Sequence, residues 1–151
     1  MTELDNNKKK MSERVNSFEE MLGQTINKIW LNEDHDKVVF ETTGGDFAYV
    51  TVPDCCNQVW FEHLSLSPKL FGSYLMGVEA KDWVDISNEP DSYEVLEQSF
   101  WTLTTSNGYI DLEVRNSHNG YYGGSIDYVA NADWKRYSIV KEDMREITED
   151  F

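Results

Sequence analysis

Residues 100–115 read FWTLTTSNGYIDLEVR, and this stretch decides which kind of fold the chain can adopt. Asn107-Gly108 is a strong β-hairpin signal, because both residue types tolerate the positive φ of a type I′ turn. Folding the chain there places six side chains on one face, in three cross-strand pairs: Thr105 with Ile110, Leu103 with Leu112, and Trp101 with Val114. The opposite face is mostly polar. The pattern therefore predicts an antiparallel sheet with one packed face and one wet face.

Further strands are predicted on both sides of this hairpin. Residues 26–31, 37–43 and 47–52 are apolar or β-branched, and Asn32 to Asp36 and Gly44-Gly45 supply the turns of a three-stranded meander. Pro53 ends the third of these strands, because proline cannot donate to a ladder. Residues 125–129 predict a later strand. The expected sheet is antiparallel and twisted, with about six strands.

Two helices are expected beside the sheet, and a weaker signal predicts a third at residues 141–151. Met11, Val15, Phe18 and Leu22 recur at helical spacing, and Gly23 stands where a helix cap belongs. Residues 54–64 predict a short helix carrying the paired cysteines, since four side chains share one face at helical offsets: Cys56, Val59, Trp60 and His63. The predicted fold class is α+β. We expect a flexible arm at residues 1–10 and a single α+β domain at 11–151.

The charge balance limits the possible partners. The chain of 151 residues has 28 acidic and 13 basic residues and a formal net charge of −15. Such a surface repels phosphate backbones and anionic lipids, which argues against direct binding to nucleic acid or a membrane. No apolar run approaches the ~20 residues of a membrane span, and the first residues lack a signal-peptide pattern, so a cytoplasmic location is expected.

The densest negative segment is residues 79–97, which contain seven acids and one base, Lys81. We predict that these acids bind a basic surface on a partner protein; the alternative is that they only keep the protein soluble. The seven predicted partner-binding residues are Glu79, Asp82, Asp85, Glu89, Asp91, Glu94 and Glu97.

Few residues favour catalysis or metal binding. Adjacent cysteines do not match the spacing of zinc ligands, so Cys55 and Cys56 are predicted to be small buried structural thiols, with no metal and no cofactor. His35 lies between Asp34 and Asp36, a pattern that suits a general base but is also typical of a solvated turn, which we favour. The protein is not expected to be an enzyme.

A glycine-rich segment offers an alternative binding site. Gly120 to Gly124 fails the phosphate-loop templates and predicts a bulged hairpin, but its two tyrosines could present rings for stacking. The candidate ligand-binding residues there are His118, Tyr121, Tyr122 and Arg115.

Several short motifs resemble a family of short, uncharacterised proteins of bacteriophages and Gram-positive bacteria. The likeness covers roughly residues 20 to 130. The motifs that carry it are Leu22-Gly23-Gln24-Thr25-Ile26, Gly44-Gly45, Asp54-Cys55-Cys56 with Val59 and Glu62, Asn107-Gly108-Tyr109, and Ser117-His118-Asn119-Gly120-Tyr121-Tyr122. The resemblance brings no catalytic residues. It implies a phage or prophage setting, in which small acidic proteins often bind a host protein.

Three functions follow as expectations. The first is a non-catalytic phage-type accessory protein that binds the basic surface of a host protein, as a DNA-mimic-like inhibitor of a nucleic-acid-acting or defence protein. The second is a small-ligand or nucleotide-binding protein that uses the Tyr121/Tyr122 region. The third is a small metal-dependent enzyme. The sequence leaves the partner and the oligomeric state open.

Overall fold

The computed structural model describes residues 18–87, 94–119 and 123–151, and this part of the chain is built almost entirely of β-strands. Two short 3-10 helices, Asn131–Asp133 and Lys141–Asp143, accompany the strands. The ten strands are β1 Thr25–Leu31, β2 Lys37–Thr42, β3 Gly45–Val52, β4 Gln58–Leu66, β5 Ser73–Ala80, β6 Val84–Asp85, β7 Val95–Thr105, β8 Gly108–His118, β9 Ser125–Val129 and β10 Arg145–Glu146. The α+β prediction is therefore wrong, and about six strands was too few.

All strand pairs are antiparallel, and the order along the sheet is β4-β8-β7-β5-β1-β2-β3-β9, with β10 on β1 and β6 on β7. We call β1, β2, β3, β9 and β10 half A, and β4 to β8 half B. The halves join where Thr25 and Ile26 of β1 pair with Tyr74 and Ser73 of β5. Hydrogen bonds between the end of β3 and β4, such as Thr51 Oγ1 to the Val59 carbonyl at 2.9 Å, bring the far edge of half B back to half A.

One core lies between the two halves. Side chains from both contribute to it, because successive residues of a strand point to opposite faces and every second residue turns inward. Phe18 stacks on Tyr49 with ring centroids 4.3 Å apart, and Trp101 meets Trp83 edge to face. Its largest fully buried members are Trp101, Tyr49, Phe18, Phe40, Phe61 and Met21.

The hairpin that decides the fold is present, with a shifted register. The six side chains predicted to share a face are all buried. Thr105 pairs with Gly108 and Leu103 with Ile110, so Ser106 and Asn107 form the turn, and neither has a positive φ. The type I′ turn was thus wrong, and the pairing lies two residues from the predicted one. The predicted assignment of side chains to the two faces is still correct, because a register shift of two residues keeps every side chain on the same face.

The predicted helix at residues 54–64 is wrong: β4 begins at Gln58, directly after a bend at the cysteines. Val59, Phe61 and Leu64 are buried while the residues between them are more exposed. A β-bulge between Phe61 and His63 adds one residue, so alternation is broken at that point. Of the four residues predicted to share a helix face, Val59 is buried, but Cys56, Trp60 and His63 are not, so their helical offsets did not mark a packed face.

The predicted N-terminal helix is also wrong in its extent to Leu22, for the residues that can be compared. Residues 11–17, like the arm at 1–10, lie outside the described part. Phe18 and Glu19 are helical, and residues 20–23 form a turn that ends at Gly23, whose φ of +82° fits the predicted cap. Met21 is buried and Leu22 is 44% exposed, so the predicted apolar stripe wrongly included Leu22 in place of Met21. The boundaries of the single domain stay a prediction.

The C-terminal segment covers the outer face of half A instead of forming the expected helix at 141–151. Ile139 and Met144 pack against Val39, Ala48 and Val129 in a second apolar cluster. Ile147 donates its backbone N–H to Ile29 on β1, and the segment continues to half B. No described outward-facing residue of β7 or β8 is buried in a comparable way.

The meander of β1, β2 and β3 is confirmed. Its first turn contains His35 with a φ of +58°, held by Asn32, whose Oδ1 accepts the N–H groups of Asp36 and Lys37. This supports the solvated-turn interpretation of the acid-flanked histidine.

Candidate functional site

The acidic segment runs from the end of β5, opposite the middle of β7, to the end of half B where β6 pairs with β7 and β8 finishes. Glu79, Asp82, Asp85 and Glu94 are exposed, and Glu97 is half-buried. Glu89 and Asp91, also predicted to bind a partner, lie outside the described residues. Asp85 pairs with Glu97 and Val95 with His118, so Asp85 and Glu94 lie at this end, whereas Glu79 pairs with Thr102, five residues further along β7 and on its outer face.

Asp85 is held in place by its own turn. Its Oδ1 accepts the N–H of Ser87 at 2.8 Å. Hydrogen bonds from Ser87, with a smaller contribution from the positive charge of His118, hold the pKa of Asp85 below its usual range. The carboxylate is therefore ionised at neutral pH and fixed on the surface.

A buried polar network lies beneath these acids. His118 Nε2 is 2.5 Å from Glu97 Oε1, and the Asn116 side-chain amide donates to the same oxygen at 3.3 Å. Asn116 is fully buried and His118 is 7% exposed. Glu97 on β7 is thus engaged with two residues of β8, and its role in partner binding stays a prediction.

The paired cysteines border this network. Asn57, two residues after Cys55, donates its amide to Asn116 Oδ1 at 2.9 Å and to the Gly123 carbonyl at 3.1 Å. Its Oδ1 accepts the N–H of Asp54 at 2.7 Å and closes the bend. Both cysteines are exposed, so the prediction of buried thiols on a helix is wrong. Their sulfur atoms are 2.9 Å apart.

A polar cavity of about 320 Å³ opens at this end of the sheet. It joins the cysteine bend to the end of β8 and to the acidic segment. Its lining residues are Cys56, Asn57, Gln58, Glu94, Ser117, His118 and Asn119. We call the cavity, the bend at 54–57, the buried network and the exposed acids Asp82, Asp85 and Glu94 the acidic end.

The alternative ligand site is brought together only in part. His118 faces the inside of the sheet, whereas Arg115 lies on the outer face and is paired with Glu113 at 2.7 Å. Tyr121 and Tyr122 lie outside the described residues. Among the residues that are described, no group of three His, Cys, Asp or Glu side chains is placed to hold a metal ion.

The sequence interpretation missed Asn57 and Asn116. A signal for Asn116 was present, because the inward alternation Ile110, Leu112, Val114 continues into a polar residue at the same face. A polar residue at a core position indicates a buried hydrogen-bonded site. Asn57 carried no such signal, since its partner is 59 residues away.

Over the described ranges, no helix is long and apolar enough to cross a membrane. No curated protein and no solved structure matches the chain. A family model, a domain of unknown function (DUF7448), matches residues 19–128, which includes the cysteine bend, the acidic segment and the whole β7–β8 hairpin. The match spans most of the chain and agrees with the extent of the resemblance found in the sequence. The chain therefore belongs to the DUF7448 family.

Proposed function

We propose that the protein is a non-catalytic binding protein whose acidic end engages a basic surface on another protein. The observation that carries this proposal is the cluster of exposed carboxylates around β6. Asp82 and Asp85 have no ion-pair partner among the described residues, although the chain forms ion pairs elsewhere. Carboxylates left facing solvent on a rigid sheet edge are suited to meet Lys and Arg side chains of a partner.

The rigidity of this edge supports a specific surface rather than a solubilising one. The buried network and the turn at Ser87 fix the backbone beneath the acids. Preorganised groups lose less conformational freedom on binding. We further propose a host nucleic-acid-acting or defence protein as partner, in a phage or prophage setting and in the cytoplasm, with the acidic end imitating the charge of a DNA backbone.

The test compares two variants of equal net charge. The first converts Asp82, Asp85 and Glu94 to their amides; the matched control does the same at three exposed acids elsewhere, Glu33, Asp133 and Glu142. An oligo-arginine peptide is the probe, and its affinity is measured over a series of salt concentrations. We expect the acidic-end variant to lose affinity several-fold and to show a flatter salt dependence, because local complementary charge is screened over about 8 Å at physiological salt.

Equal losses in both variants would show that only the total charge matters, and solubility would then be the role of the acids. A circular dichroism spectrum of each variant confirms that the fold is intact.

A second candidate function is small-ligand binding in the polar cavity. The cavity volume and the convergence of His118 and Asn57 at its wall favour it. Glu94 at the same wall disfavours a nucleotide phosphate by like-charge repulsion. Thermal-shift measurements with nucleotides and with small amines distinguish the two ligand classes.

A further inference from the structure

The bend at Cys55 and Cys56 has the chemistry of a redox site. Both thiols are exposed, and the two sulfur atoms are 2.9 Å apart. The chain has two cysteines in all. Neither thiol therefore has another cysteine of the same chain to pair with, and each is already beside its only intramolecular partner.

We propose that Cys55 and Cys56 form a reversible vicinal disulfide by exchange with a small-molecule disulfide. One cysteine thiolate attacks the small disulfide, forms a mixed disulfide and releases one small thiol. The other cysteine then loses its proton, and its thiolate attacks the sulfur of the first cysteine and releases the second small thiol. Two protein thiols are oxidised by two electrons, one small disulfide is reduced, and the two protons end on the released thiols.

Such a bond is easily reversed, for a geometric reason. Adjacent Cα atoms are about 3.8 Å apart across a trans peptide bond, whereas disulfides usually join Cα atoms about 4.4–6.8 Å apart. The shorter separation strains the bond, and strained disulfides are readily reduced and belong to the labile, regulatory class. The site therefore suits a sensor of oxidising conditions and not a structural cross-link.

The bend is connected to the acidic end through Asn57. Its side chain holds the bend by accepting from Asp54 and holds β8 by donating to Asn116. Closing a ring at Cys55 and Cys56 changes the backbone between Asp54 and Asn57. The oxidation state is thus transmitted to the polar network under the acidic surface.

Exchange is slow at neutral pH and accelerates as pH rises. The neighbouring Cys56 thiol, and then the Asp54 carboxylate, raise the pKa of Cys55 above its usual value. Only the thiolate attacks, so the rate follows the thiolate fraction.

The decisive experiment treats the full chain with a series of oxidised-to-reduced glutathione ratios and measures intact mass and free thiols. We expect a loss of two hydrogens, two thiols that no longer react with iodoacetamide, a monomeric product, and complete reversal with dithiothreitol. Glutathione adducts or covalent dimers without the two-hydrogen product would overturn the proposal. Cys55→Ser and Cys56→Ser are the matched controls, and each should stop at a single glutathione adduct.

The connection to the acidic end is tested separately. Side-chain amide resonances of Asn57 and Asn116 are compared by NMR between the reduced and oxidised protein, with backbone amides of β2 as the internal reference. We expect the two amides to shift and β2 to stay unchanged. Unchanged Asn57 and Asn116 resonances in fully oxidised protein would overturn the connection while leaving the disulfide itself established.

Discussion

The two halves of the sheet differ in what covers their outer faces. In half A the C-terminal segment lies across the outer face, so Val39 and Ala48 are as buried as the inward-facing residues beside them. In half B the described outward-facing side chains of β7 and β8 stay partly exposed. Polar groups collect at its end, around His118 and Asn116. Half A is therefore packed on both faces, whereas half B is packed on one face and contacts solvent on the other.

The largest expected effect is a difference in the free energy of unfolding between two Val→Ala variants, one in each half of the sheet. Val39→Ala, on the covered outer face of β2, should lower the free energy of unfolding by about 2–3 kcal/mol, since it removes buried methyl groups and leaves a cavity. Val84→Ala, on β6 in half B, should change it by less than about 0.5 kcal/mol, because Val84 is 55% exposed. Urea unfolding of both variants measures the difference. Equal losses of unfolding free energy in the two variants would mean that the C-terminal segment does not bury the outer face of half A.

A smaller effect is expected at the hairpin of half B. Gly108 has a φ of +149°, and a Cβ added there would collide with Ser67 Oγ. Gly108→Ala should therefore cost about 1–2 kcal/mol by urea unfolding. Asn107→Val should cost less, because Asn107 is exposed and lacks a positive φ. A larger loss of unfolding free energy in Asn107→Val than in Gly108→Ala would instead support the type I′ turn at Asn107-Gly108.

The hairpin also shows what the sequence could and could not predict. Alternation fixed which side chains of β7 and β8 are buried, because that depends only on the period of two. The register was not predicted, and the turn also contacts Ser67, which accepts the N–H of Tyr109 and lies 42 residues away in sequence. No local pattern contains that contact.

The same limit explains the errors at the cysteines and the acidic end. The helix at residues 54–64 was predicted from four side chains at helical offsets, of which Val59 is buried and the other three are not, because β4 buries Val59, Phe61 and Leu64 instead. The acidic segment was evident from composition alone. Its attachment to His118 and Asn57 depends on strand pairing between distant parts of the chain, which only the structure reveals.

The smallest expected effect concerns how the covering segment is attached to half A. Lys141 Nζ is 2.8 Å from Glu41 Oε1 and 2.9 Å from Asp46 Oδ2, which ties the segment to β2 and β3. All three side chains are partly solvated, so Lys141→Gln should lower the free energy of unfolding by only about 1 kcal/mol at neutral pH. Lys135→Gln is the control, because it removes the same charge from an exposed position of the same segment.

The pH dependence separates an ion pair from simple packing of the lysine stem. The hydrogen bond from Lys141 holds the pKa of Glu41 below its usual range, and the two carboxylates raise the pKa of Lys141. A lowered carboxyl pKa contributes stability above its unfolded value, about 4.3, and this is lost as pH falls through the folded pKa. The raised Lys141 pKa contributes fully below about 10.4 and is lost as pH rises through its folded value. The difference between wild type and Lys141→Gln should therefore be constant across neutral pH and shrink below about pH 4; a difference that persists in acid would assign the effect to packing.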